Sequence, residues 1–233
     1  MKQFSRRIAK NMIGIILCML VLSQAIQAGE MDVDMDNGED INQTCAGCHG
    51  EYGEGGKEGE YPRIAGLSRD FLSRQLKLFR SRKRPNMAMV EYVDHRQMPD
   101  EDIRDISAFL EGIVLQTRLP AVDETAPDFD AYARLLASKK LMQVPRAPGD
   151  IDVGKKMYRK ECGSCHGSEG WGDIEDGVPM LAGQYTNYLW RQVTKYREKI
   201  RIHDESEPDS ELLLDFTDAE LTDIFAYLST VDD

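Results

Sequence analysis

The hexapeptide Cys45-Ala46-Gly47-Cys48-His49-Gly50 returns as Cys162-Gly163-Ser164-Cys165-His166-Gly167, an offset of 117 residues from Cys45 to Cys162. Two thiols separated by two residues and followed directly by an imidazole restrict a chain more than any other pattern present. On one helical turn the thiols can form thioethers with the vinyl groups of one haem, and the adjacent imidazole then reaches its iron. A disulfide in an oxidising compartment and a zinc site use the same residue types. Zinc asks for four ligands, and His95, His203 and Cys18 are the only other histidines and cysteine, so neither cluster completes that shell easily. The doubled motif in matched contexts favours two covalently bound haem c groups, attached through Cys45 and Cys48 and through Cys162 and Cys165. His49 and His166 are then the proximal iron ligands.

The repeat reaches well beyond the motifs. After a Gly- and Glu-rich stretch from Glu51 to Glu60, Pro62 opens a segment in which Phe71, Leu72, Gln75, Leu76 and Phe79 recur at helical spacing. The same frame returns from Pro179 to Arg197 without a gap, repeating Pro, Ala-Gly, Leu, Arg, Gln, an aromatic and Arg. A loop with Met87, Met89, His95 and Met98 precedes a helix opened by Asp100-Glu101-Asp102. In the second copy Thr217 to Glu220 reads as a capping box ahead of Leu221, Ile224, Phe225 and Leu228. Gly154 and Tyr158, four apart on one helix face, predict a notch for the closing helix near Tyr227. Each copy is helix, haem motif, loop, helix, ligand loop, helix, and no stretch alternates like a strand. The fold class is therefore all-α, with two tandem domains at 29–118 and 150–233 joined by a Pro-punctuated linker at 119–149 in which Phe129 to Leu141 forms a helical turn or two. Domains this small bury little surface, so a covalently held haem would supply much of each core.

Residues 1–28 carry Lys2, Arg6, Arg7 and Lys10, then an apolar run from Met12 to Leu22, then small residues ending near Ala25 or Ala28. This reads as a secretory signal and places the protein in the periplasm. The apolar run is shorter than the roughly 20 residues that span a bilayer, so no membrane span is expected once the signal is removed. The chain carries a formal charge of −12, and the 28 residues take four positive charges with them, leaving −16. Such a surface repels nucleic acid and anionic lipid and steers towards redox partner proteins with a basic docking surface, or serves solubility alone.

With these residues in view, the chain resembles the di-haem cytochromes c of the cytochrome c4 family, and likewise the di-haem subunit of flavocytochrome c sulfide dehydrogenases. The resemblance rests on the two Cys-x-x-Cys-His-Gly motifs, the Pro-x-x-Ala-Gly turns at Pro62 and Pro179, and the Gln-containing helices followed by closing helices with an aromatic near Phe109 and Tyr227. It implies a class I cytochrome c fold for each domain, with the haems near the domain interface. It also implies that the carbonyls of Pro62 and Pro179 accept the Nδ1–H bonds of His49 and His166, which would fix the ring tautomer.

That family places a Met before each closing helix as the sixth iron ligand, and here the two copies part. The first offers Met87, Met89 and Met98, of which Met89 leaves the spacing to Ile103 most like the family's; Met98 reads as a packing residue, and His95 is a further rival. The second has no Met after Met180, which reads as packing against the haem. His203 sits in the corresponding loop as a sixth ligand, the alternatives being a surface His and an open or water-filled iron site. His/Met and His/His ligation would make the first haem the higher in potential and the pair a directional relay. The expected function is electron transfer without catalysis. The other classes kept in view are a haem enzyme or gas or sulfur-species sensor with an open sixth position, and the electron-accepting subunit of a dehydrogenase. The basic run Arg80, Arg82, Lys83 and Arg84 reads either as a solvated helix end or as a neutraliser of haem propionates or an acidic partner.

Overall fold

Asp34 caps the first helix: its side chain accepts a 3.0 Å hydrogen bond from the Asn37 amide, and α1 (Met35–His49) then runs unbroken through the first motif to Gly50. The computed structural model describes residues 32–94, 98–142, 144–203 and 212–231. The segment read as a signal, and His95, lie outside the described residues. Helix α2 (Arg69–Arg80) starts on Ser68, whose hydroxyl accepts from the Phe71 amide. The stretch read as a ligand loop contains a short helix, α3 (Met87–Val93), capped by Asn86. The closing helix α4 (Asp100–Glu111) follows, and its three leading acids suit the positive end of its dipole.

The linker holds α5 (Ala131–Ser138), which buries no residue. Its flanks are less exposed than a surface connection requires. Leu141 bridges to Gln116, and Met142, only 4% exposed, packs with Ala65 and Leu115. At its far end the Ala147 amide donates to Ser229 Oγ at 2.9 Å.

The second copy runs through α6 (Ile151–Glu161), α7 (Gly163–His166), α8 (Thr186–Arg197) and α9 (Asp218–Leu228). Cys162, at φ −115° and ψ −28°, separates α6 from the short α7, so the motif that ends one helix in the first copy forms its own turn here. Thr217 and Glu220 make the reciprocal capping box ahead of α9. Among the described residues, extended pairing is confined to isolated bridges.

In each copy the first helix crosses the closing one: α1 on α4, and α6 on α9. At the second crossing Gly154 lies against the backbone of Asp223, and Tyr158, fully buried, meets Tyr227 with ring centres 5.6 Å apart. Two apolar clusters result. Leu67, Leu72, Ile106 and Leu110 gather beside Cys45; Leu189, Val193, Leu221, Ile224 and Phe225 gather beside Cys162. Each such side chain contributes about 1.5–3 kcal/mol of burial.

The first crossing carries a polar brace instead of the tyrosine pair. Asp105, 2% exposed on α4, accepts from the Asp34 amide at 3.2 Å, Asn37 Nδ2 at 2.9 Å and Arg104 Nε at 2.8 Å. Burial pushes its carboxyl up, but the bonds from Asn37, Arg104 and Asp34 outweigh this and hold it below its ordinary 3.8. A depressed carboxylate pKa stabilises the fold at pH above the unfolded value, and that contribution is lost as pH falls through the folded one. Asp105→Asn is expected to lose on the order of 1–3 kcal/mol at neutral pH. The loss should shrink as pH falls through the lowered folded value, where the wild-type carboxyl is protonated too. Urea midpoints measured against pH check it; a loss that stays constant from neutral pH down through the acid titration would show that the charge is not what braces the crossing.

Across the junction of the two copies the contacts repeat by exchange. Arg74 Nη2 donates to the Gly177 carbonyl at 3.1 Å, and Arg191 Nη2, at the same position of the second copy, donates to the Glu60 carbonyl at 3.1 Å. Gln184 clamps the backbone of Arg63, accepting from its amide at 3.0 Å and donating to its carbonyl at 2.9 Å.

Candidate functional site

The two motif histidines are anchored alike. His49 Nδ1 lies 2.9 Å from the Pro62 carbonyl and His166 Nδ1 lies 2.9 Å from the Pro179 carbonyl. A carbonyl only accepts, so each Nδ1 carries the proton and each Nε2 keeps its lone pair for a metal. The loops that bring the prolines back are tied in matching registers. Gly55 N donates to the His49 carbonyl at 2.7 Å, and Gly172 N to the His166 carbonyl at 2.9 Å. The carbonyls of Gly53 and Gly170 each accept two amides just after the proline, from Ile64 and Ala65 and from Leu181 and Ala182. Burial draws both imidazoles below the usual 6.5, against the opposing pull of the prolyl carbonyls, which favours the neutral form that binds metal.

No disulfide joins the four motif cysteines. Cys45 and Cys162 are half-buried against the apolar clusters, and Cys48 and Cys165 are exposed. Burial raises the Cys45 thiol and pushes Cys162 up to about 11. One thiol facing the core and one at the rim, beside an imidazole with a free nitrogen, suit a flat apolar macrocycle held along one edge. Among the described residues, no group of three or more His, Cys, Asp and Glu side chains could hold a metal ion.

The sixth-ligand candidates are sorted by burial. Met87 is 82% exposed, Met98 is 8% exposed within the cluster of Phe79, Val93 and Ile103, and Met89 is half-buried at the edge of that cluster. In the second copy the ring centre of His203 lies 6.1 Å from that of His166, and Tyr196 stands edge-on to His203 at 5.1 Å. Met180 reaches into the first copy and packs beside Leu67 and Leu72.

The basic run divides. Arg80 pairs with Asp100 at 2.6 Å and Arg82 meets Asp94 at 3.8 Å, both at the surface. Arg84 turns inward, 9% exposed, and donates to Gln75 Oε1 at 2.8 Å, Tyr188 Oη at 3.0 Å and Gln192 Oε1 at 3.2 Å. Arg201, also 9% exposed, donates to the same two glutamine oxygens. Sequence reasoning did not single out Arg201. The available signal was that Gln75 and Gln192, and Arg84 and Arg201, stand at the same offset as the haem motifs.

The family model for cytochrome c matches residues 35–113 and again residues 151–232. The chain belongs to the cytochrome c family. It is similar to the thiosulfate dehydrogenase electron acceptor of Stutzerimonas stutzeri (strain A1501), 27% identical over 222 residues that cover 91% of each chain. It is also similar to cytochrome c4 of Pseudomonas aeruginosa, 24% identical over 203 residues, covering 84% of this chain and 85% of that one. Among solved structures, reduced cytochrome c4 from Pseudomonas stutzeri superposes with a TM-score of 0.65 at 20% identity, over 85% of this chain and 98% of that one. With a cytochrome c domain around each motif, this is a di-haem c-type cytochrome that carries electrons between redox partners. No helix among the described residues is long and apolar enough to cross a membrane.

Proposed function

We propose that this cytochrome is a periplasmic relay whose two domains, 29–118 and 150–233 on either side of the 119–149 linker, hold their irons unequally after a 1–28 signal is removed. His49 and Met89 ligate in the first domain, and His166 and His203 in the second. The observation that carries the reading is the 6.1 Å between the ring centres of His166 and His203. Two imidazoles sharing one metal at about 2 Å per bond place their ring centres roughly 6 Å apart. Met89 is favoured in the first domain because Met87 points into solvent and Met98 is committed to the core.

When bound, the haems supply iron that cycles between ferrous and ferric states. The chain's own part is to set which state each site favours. A thioether favours ferrous iron more than a second imidazole does, so electrons run from the second domain to the first. The acidic surface, −12 over the whole chain, suits a partner with a basic docking face. The similarity to a protein named as an acceptor for thiosulfate dehydrogenase supports a dehydrogenase of reduced sulfur compounds as the electron donor.

A spectroscopic redox titration with a carbon monoxide challenge tests the ligand set. Two potentials, one Met-to-iron charge-transfer signal per molecule in the oxidised state and no rapid carbon monoxide binding in the reduced state are expected. A single potential with Met signals from both haems would sink the mixed-ligand reading. Rapid stoichiometric binding at one haem would show an open position and favour a sensor or enzyme.

A further inference from the structure

The linker helix α5 leaves its outer face bare. Asp130 caps it, accepting from the amides of Tyr132 and Ala133 at 2.9 Å each, and Arg134 Nη1 ties it back to the Pro120 carbonyl at 2.7 Å. Arg134 and Ser138, one turn apart and the two least exposed residues of the helix, turn towards the body. Tyr132 and Leu136, also one turn apart, stand on the far side with Leu135 next to them, and all three are exposed. A contiguous apolar stripe on a helix that buries no residue marks a face that something else covers. The charges around it are sorted by position. Residues 119–130 hold Asp123, Glu124, Asp128 and Asp130 and no base; residues 131–149 hold Arg134, Lys139, Lys140 and Arg146 and no acid. The helix therefore has an acidic entrance, an apolar middle and a basic exit. Turned end for end, it sets its apolar stripe on itself and each acidic entrance beside a basic exit. Asp128 and Lys139 are exposed, and among the described residues neither pairs with an opposite charge of its own chain. Antiparallel packing also opposes the two helix dipoles favourably.

We propose that this face binds a second copy of the chain, α5 against α5 in antiparallel order about a two-fold axis. The order of charges selects that occupant: the same linker offers base to acid at one end and acid to base at the other, whereas two chains of formal charge −12 repel each other elsewhere. A helix of eight residues is about 12 Å long. The contact accordingly falls in the weak class that buries less than about 1,200 Å², and the pair forms as concentration rises rather than permanently. The inference is independent of which side chains are the sixth iron ligands.

Sedimentation equilibrium of the holoprotein over roughly 10 μM to 1 mM tests it. The wild type is expected to pass from the monomer mass towards twice that mass. Asp128→Lys and Lys139→Glu each bring like charges together at both ends of the pair, and each is expected to weaken self-association about tenfold. Mixed in equal amounts, the two variants should recover the association, because every end then meets its opposite; a local structural defect in either variant would not be repaired by mixing. Leu136→Asp should abolish pairing. A wild type that stays monomeric to the top of the range overturns the proposal, and so does a dimer that the charge reversals leave intact or that mixing fails to restore. The face belongs to another occupant, and the pairing is likewise overturned, if a monomeric wild type sediments with phosphatidylglycerol vesicles and Leu136→Asp does not, or if Leu136→Asp slows reduction of a monomeric chain by a thiosulfate dehydrogenase.

Discussion

Replacing His203 by alanine is expected to turn a haem that refuses carbon monoxide into one that binds it rapidly, at one equivalent per reduced molecule. The wild-type ring centre lies 6.1 Å from that of His166, the separation that a shared iron demands. Truncation leaves no other side chain of that loop with a strong nitrogen or sulfur donor among Arg201 and Ile202. His203→Met should instead raise the potential of the second haem on the order of 0.1 V, within the range of about 0.8 V that axial ligands control, and remove the bias between the sites. An alanine variant with unchanged spectra and no new carbon monoxide binding would show that the imidazole is only a surface neighbour of the haem.

The second large effect is on stability. A β-carbon at position 154 would lie 1.8 Å from the carbonyl oxygen of Asp223 and 2.9 Å from the amide nitrogen of Ile224. Both are backbone atoms of α9, so nothing flexible can yield and the crossing helices must part. Gly154→Ala gains about 1 kcal/mol in helix propensity. Overpacking costs about 1–3 kcal/mol and occasionally more, and backbone contact this close falls at the upper end. A net loss of roughly 2 kcal/mol is expected. The disturbance should also reach the haem site, because Tyr158 packs on Tyr227 and its hydroxyl donates to the carbonyl of Gly167 at 3.0 Å, next to His166. Denaturant titration followed by haem absorbance is the check, with the second domain expected to unfold first. A variant as stable as wild type would mean that α6 and α9 slide apart at no cost.

Much of this arrangement was legible in the chain because its causes are local. The capping residues Ser68 and Thr217, the stripe of Phe71, Leu72, Gln75 and Phe79, and the Gly154–Tyr158 face are short-range patterns that a helix imposes on neighbours three and four apart. The family resemblance implied that Pro62 and Pro179 stand opposite their histidines, and the carbonyls lie 2.9 Å from Nδ1 of His49 and of His166. Readings failed or fell short where the cause was not local. Met87 to Val93 forms a helix within a segment read as loop, started by Asn86. Met142, inside the segment read as a linker, is buried with Ala65 and Leu115, a contact that no pattern within the linker announces. The basic run, read as one unit, splits because α2 ends at Arg80 and the chain then turns Arg84 into the junction between the domains.

The two anchoring motifs needed only the sequence. Thioether attachment depends on residues within a single turn, so the spacing of Cys45 and Cys48, and of Cys162 and Cys165, points to it directly, and the proximal ligation proposed for His49 and His166 follows from the same turn. What lies on the far side of each iron, and between the two, depends on side chains brought together across the fold. Burial separates Met89 from Met87 and Met98, and the packing of Tyr196 carries His203 to His166. The meeting of Arg84 with Arg201 requires two domains to close on each other. No local period encodes that contact, and only the tertiary structure decided it.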